Sequence, residues 1–167
     1  MCVDAASWSA LFAHLEEERS RLRELEEALM QQLEALRRAD LKALDACVEA
    51  ESAVVFGLHR LERQQRKLLG RIATALGVQT EDVSLSWLAA HAPAEYREPL
   101  LERLIAREAL LERVLQRQAC VQAVLEYAQR LFEELRRTAV CLATASPIAY
   151  DRSGLKGATL TWIDQTA

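Results

Sequence analysis

Glycine, proline and aromatic residues are scarce in this chain of 167 residues: five Gly, three Pro, and three each of Trp, Tyr and Phe. A β-sandwich or barrel needs a turn signal about every 8–12 residues, and this chain does not supply them. No apolar run approaches the roughly 18 residues of a membrane span, so no integral membrane segment is expected. Neither sign of charge dominates: 21 basic and 25 acidic residues are interspersed, for a net charge of −4. Without a basic excess or a basic face, nucleic acid is not an expected partner. The N-terminus, Met1-Cys2-Val3-Asp4, lacks a basic region followed by an apolar core, so no secretory signal is expected. Cys2, Cys47, Cys120 and Cys141 are scattered, with no CxxC pair, which suits reduced structural thiols. Together these features point to the cytoplasm.

Catalytic signatures are missing as well. Neither GxxxxGK[ST] nor GxGxxG occurs. His14, His59 and His91 lie far from one another and from the cysteines, so the close ligand pairs of a zinc site are absent and no metal is expected. The Glu-x-x-His repeats of di-metal bundles are absent too. Carboxylates that meet on solvated helices do not make an acid–base dyad without a pocket to shift a pKa. The expectation is a binding protein that is not an enzyme and carries no cofactor.

What the chain does have is 51% hydrophobic residues and an abundance of Ala, Leu, Glu, Arg and Gln, the composition of long helices. A first helix is expected over about 7–38. Leu15, Leu22, Leu29 and Leu36 recur every seven residues, with Leu11 and Leu25 on the interleaved row, an a/d seam. Glu18 and Gln32 interrupt that second row. Asp40 reads as the N-cap of a second helix over about 40–76. There Leu41, Val48, Val55, Leu69 and Leu76 form one row and Leu44, Leu58 and Ile72 the other. Gly57 and Gly70 inside it suggest close helix approach, and Gly77 reads as its C′ residue. Ser84 caps a short helix over about 84–91 that carries Trp87. The last long helix starts near Ala94 or near Pro99, since proline suits a first turn, and runs to about 144. The architecture is all-α: long antiparallel helices in an elongated coiled-coil-like bundle, residues 1–145.

From Ser146 the helical periodicity stops. Residues 146–167 read as a flexible tail, yet carry Ile148, Tyr150, Leu155, Leu160, Trp162 and Ile163. Apolar residues on such a tail suit either docking on a partner or folding back onto the chain's own helices.

The order of these parts resembles the FlgN family of flagellar type III export chaperones. The resemblance rests on the Leu/Glu-rich opening helix, Leu11-Phe12-Ala13-His14-Leu15-Glu16-Glu17-Glu18, and on the polar break at Arg38-Ala39-Asp40. It rests further on the run Leu58-His59-Arg60-Leu61-Glu62-Arg63, on Leu76-Gly77, and on a tail similar to Tyr-Gly-x-x-Gly, here Tyr150-Asp151-Arg152-Ser153-Gly154. Asp151 stands where the family often has Gly, and Gln116-Arg117-Gln118 lies where it often carries Asn. The resemblance implies binding of the C-terminal helical segments of hook–filament junction (hook-associated) proteins, which keeps them unassembled, and delivery to the flagellar export gate. The expected substrate groove is Val121, Val124, Leu125, Ala128, Leu131, Phe132 and Leu135, residues that equally suit contacts with the first two helices. Tyr150, Gly154 and Trp162 are the expected gate or tail contacts. A structural coiled-coil scaffold, with the seams pairing two chains in a homodimer, is the competing expectation.

Overall fold

The computed structural model describes residues 3–145. Tyr150, Gly154, Trp162, Cys2 and the expected tail lie outside the described residues. The elements are α1 (Ala5–Arg37), α2 (Leu41–Leu76), one 3-10 turn (Thr80–Asp82), α3 (Leu85–His91) and α4 (Ala94–Ala145). No strand occurs among the described residues, so the fold is all-α. The chain divides into two compact units, Met1–Val124 and Leu125–Ala167.

The helix ends follow from short polar side chains and two left-handed residues. Asp4 accepts from Ser7 N at 3.0 Å and caps α1, and this hydrogen bond holds its carboxyl below the usual range. Asp40 accepts from Ala43 N at 3.0 Å, and Ser84 Oγ accepts from Trp87 N at 3.1 Å. Helices α1 and α2 both close with a Schellman pair of hydrogen bonds. At α2, Val78 N donates to Ala73 O (3.1 Å) and Gly77 N to Thr74 O (3.2 Å), with Gly77 at φ 73°. At α1, Asp40 N donates to Ala35 O (3.0 Å) and Ala39 N to Leu36 O (3.1 Å). Here the left-handed position is held by Ala39, at φ 54°, where glycine is the usual occupant. The last long helix starts at the earlier of the two expected positions, which puts Pro99 beyond the first turn. Helix α4 begins at Ala94, with Pro93 O accepting from Tyr96 N and Arg97 N at 3.0 Å each. Pro99 therefore sits in the second turn, not the first, where its missing N–H forfeits one helical hydrogen bond close to the helix start.

Within the first unit the three long helices pack side by side, and side-chain pairs fix their directions. Arg60 faces Glu17 and Gln32 bonds Glu51, so α1 and α2 are antiparallel. Arg107 pairs with Glu18, and Arg113 and Arg117 with Glu26, so α4 runs parallel to α1. One apolar cluster gathers where α1 starts and α2 ends. Trp8, Leu11, Leu15, Ile72, Leu88 and Leu100 are its main members. The Trp8 ring stacks on Tyr96 at 5.0 Å, and Arg103 lies 4.7 Å over Phe12. A second cluster joins Leu25 and Leu29 to Val114 and Val121, with Val54, Val55 and Leu58 against it. Each fully buried Leu contributes about 1.5–3 kcal/mol of transfer free energy.

Two expectations need correction. Leu41 and Val48, placed on a buried row of α2, are exposed, as are Leu101, Ile105 and Leu115 on α4. The buried stripes are thus narrower than the apolar sequence pattern. Gly57 and Gly70 do not mark backbone approach: a Cβ at Gly57 would meet only the Arg21 side chain at 3.8 Å, and one at Gly70 the Thr80 methyl at 3.6 Å.

Candidate functional site

The residues singled out in the sequence fall into two environments. Val121 is 6% exposed and belongs to the cluster with Leu25, Leu29 and Val114. It serves helix packing in the first unit. Val124 is exposed. In the second unit, Leu125, Leu131, Phe132 and Leu135 are exposed and Ala128 is half-buried. Phe132 is 73% and Leu135 57% exposed, values that a core residue does not show.

Helical geometry puts these five on one face. At 100° per residue, positions 125, 128, 131, 132 and 135 fall within a sector of about 120°. Glu126, Arg130, Glu133, Glu134 and Arg137 occupy the remaining circumference, and Arg130 pairs with Glu126 at 3.6 Å. Such a segment is amphipathic without burying its apolar side in its own unit. Tyr127, 69% exposed, stands just outside the sector, and sequence periodicity gave no reason to select it. The chemistry of this face is contact only: apolar, with no titratable group among the five.

Polar side chains elsewhere in the first unit are structural. Glu18 and Gln32, the interruptions of the α1 seam, each meet one partner. Arg107 Nε and Nη2 donate to Glu18 at 2.9 and 2.8 Å, a fork on a carboxylate. Gln32 donates to Glu51, which stands in the gap of the α2 row Leu44, Leu58, Ile72. Partial burial pushes the Glu26 carboxyl up, but hydrogen bonds from Arg117 and Arg113 outweigh this and hold it below the usual range. Burial pushes His14 down, against the opposing pull of Glu18 and Glu17. Among the described residues no group of three or more His, Cys, Asp or Glu is placed to hold a metal ion. No helix of the described residues is long and apolar enough to cross a membrane.

The family model described as FlgN protein matches residues 1–156. Comparison with curated proteins gave no match, and neither did comparison with solved structures. The match takes in α1 to α4, the exposed α4 face and the Tyr150–Gly154 segment. This all-helical chain, whose last helix carries an apolar face on its surface, belongs to the FlgN family of flagellar export chaperones.

Proposed function

We propose that the chain binds the C-terminal helical segments of hook–filament junction proteins in the cytoplasm, keeps them from assembling, and presents them to the export gate. The observation that carries this reading is the exposed row Leu125, Ala128, Leu131, Phe132 and Leu135 on one face of α4. A partner's amphipathic helix is read by anchors at i, i+3, i+4 and i+7, and this row has that spacing. Val124 extends it by one position, and Val121 ties the same helix to the core of its own unit. Covering the sticky face of a junction protein takes an interface of about 1,000 Å², small enough to release its cargo. Tyr150, with Gly154 and Trp162, is left for the gate.

The test is a titration of a junction protein's isolated C-terminal segment against the full chain and against Leu131→Ser/Phe132→Ser. Losing two apolar anchors of about 1.5–3 kcal/mol each predicts at least a tenfold loss of affinity, with thermal stability unchanged because both residues are exposed. Equal affinity in the two proteins refutes the assignment of the face. A chain ending at Ala145 should bind the segment and fail to engage the gate. Absence of binding, with a homodimer that the same double variant dissolves, would favour the scaffold reading.

A further inference from the structure

We propose that the groove between α1 and α2 is a second docking surface, for a partner helix with an acidic edge. This groove has a volume of about 430 Å³ and lies in the first unit, apart from the α4 residues assigned to cargo. Ala10 and Ala13 line its α1 side, with Leu68 on the α2 side. Alanines leave α1 low there, so another helix can come close. Gln64, Lys67 and Arg71 of α2 line it at the i, i+3, i+7 spacing of one helix face over two turns, and one acid, Glu17, lines it from α1.

Charge selects the occupant. Residues 60–71 carry five basic side chains (Arg60, Arg63, Arg66, Lys67 and Arg71) against one acid, Glu62, in a chain whose net charge is negative. Of the acids of α1 here, Glu18 is held by Arg107 at 2.8 Å, Glu16 lies 3.7 Å from Arg19, and Glu17, in the lining, lies 4.0 Å from Arg60, which leaves the two α2 cations in excess. Glu62 is held by Arg66. Lys67 and Arg71 make no ion pair among the described residues, and both head groups only donate hydrogen bonds. His14 lines the groove at 6% exposure, and its Nε2 is buried with no hydrogen-bond partner among the described residues. An apolar floor and two cations without an ion pair among the described residues, against the single acid Glu17, suit carboxylates spaced along a helix whose adjoining face is Leu and Ala. Complementary charges of this kind fix orientation and exclude wrong partners more than they add affinity.

The test uses the full chain and a fluorescein-labelled 18-residue helical peptide with Glu at i, i+4 spacing beside a Leu/Ala face, read by anisotropy at low salt. The same peptide with Gln for Glu, and one with Lys for Glu, are the controls. The Glu peptide should saturate binding, and the Gln peptide should bind at least about fivefold more weakly. Lys67→Glu/Arg71→Glu should weaken the Glu peptide at least about tenfold and take up the Lys peptide in its place. Ala13→Leu, which fills the groove from an exposed position, should abolish binding while the melting temperature holds. No binding of the Glu peptide, equal binding of the Gln peptide, or indifference to the double charge reversal overturns the proposal. Leu131→Ser/Phe132→Ser should leave this binding unchanged, which separates the groove from the cargo face.

Discussion

Removing the Arg107 guanidinium should expose how the α1–α4 register is held. In Arg107→Met the stem still packs, but Glu18, with a side chain only 12% exposed, loses both hydrogen bonds. A hydrogen bond to a charged group is worth about 1.5–3 kcal/mol net, and stranding one partner of a fully buried pair costs about 3–5 kcal/mol. Arg107 is 31% exposed, so water softens the loss, and about 2–3 kcal/mol is expected. For a chain of this length each kcal/mol moves Tm by about 2–4 °C, so the melt should fall by about 5–10 °C. Replacing both partners, Glu18→Leu with Arg107→Leu, turns the position into an ordinary seam layer between Leu11 and Leu25. Most of the lost stability should return, since an apolar pair of similar volume often matches a buried ion pair. Urea denaturation followed by far-UV circular dichroism across the four proteins of the cycle gives the coupling energy. The reasoning fails if Arg107→Met lies within about 0.5 kcal/mol of the parent, or if the double variant loses the sum of the two single losses.

Two further outcomes follow from the helix ends and from His14. Ala39→Gly should stabilise the chain by about 1 kcal/mol, because glycine adopts the left-handed position without the penalty of a Cβ; Gly77→Ala should cost a similar amount, and paired thermal melts check both signs. His14 binds its proton less tightly in the folded chain than in the unfolded one, because burial disfavours the charged ring. As pH falls through the ordinary histidine value of 6.5, the unfolded chain takes up a proton that the folded chain does not, so stability drops and then levels off below the folded pKa. His14→Leu should flatten the melting temperature between about pH 7.5 and about pH 5.5, and an unchanged slope would count against the assignment. Asp4 and Glu26, whose carboxyls are held low, lose their contribution only at more acid pH, as pH falls through their folded values.

Much of this fold is written locally. The rows Leu15–Leu22–Leu29 and Leu11–Leu25 are buried as their spacing requires, and Asp40, Ser84 and Gly77 end or begin helices by short-range hydrogen bonds. Ala39 escaped notice because alanine carries no signal of a left-handed turn; only the Schellman hydrogen bonds of its neighbours put it there. The polar interruptions were visible but not their meaning. Glu18 finds Arg107 across 89 residues, and nothing in a heptad count sets the offset between two helices so far apart in the chain. The α4 face was legible for another reason. Its apolar period outlasts the buried positions, which the sequence displays as one stripe and the structure divides into buried Val121 and exposed Phe132. Exposed Ile105 and Leu115 show the limit of that inference, since apolar composition alone does not say which side of a helix finds a neighbour.

The parallel placement of α1 and α4 has a kinetic side. Contacts between α1 and α2, such as Gln32 with Glu51, close a loop of 19 residues, whereas those between α1 and α4 span 87 to 91. Chain entropy favours the short closure, so the α1–α2 hairpin assembles first and α4 is the last long helix to dock. On a ribosome the order is stricter still, because the hairpin emerges while α4 is unmade. For that interval Leu25 and Leu29 have Val54, Val55 and Leu58 of α2 beside them but lack Val114 and Val121 of α4.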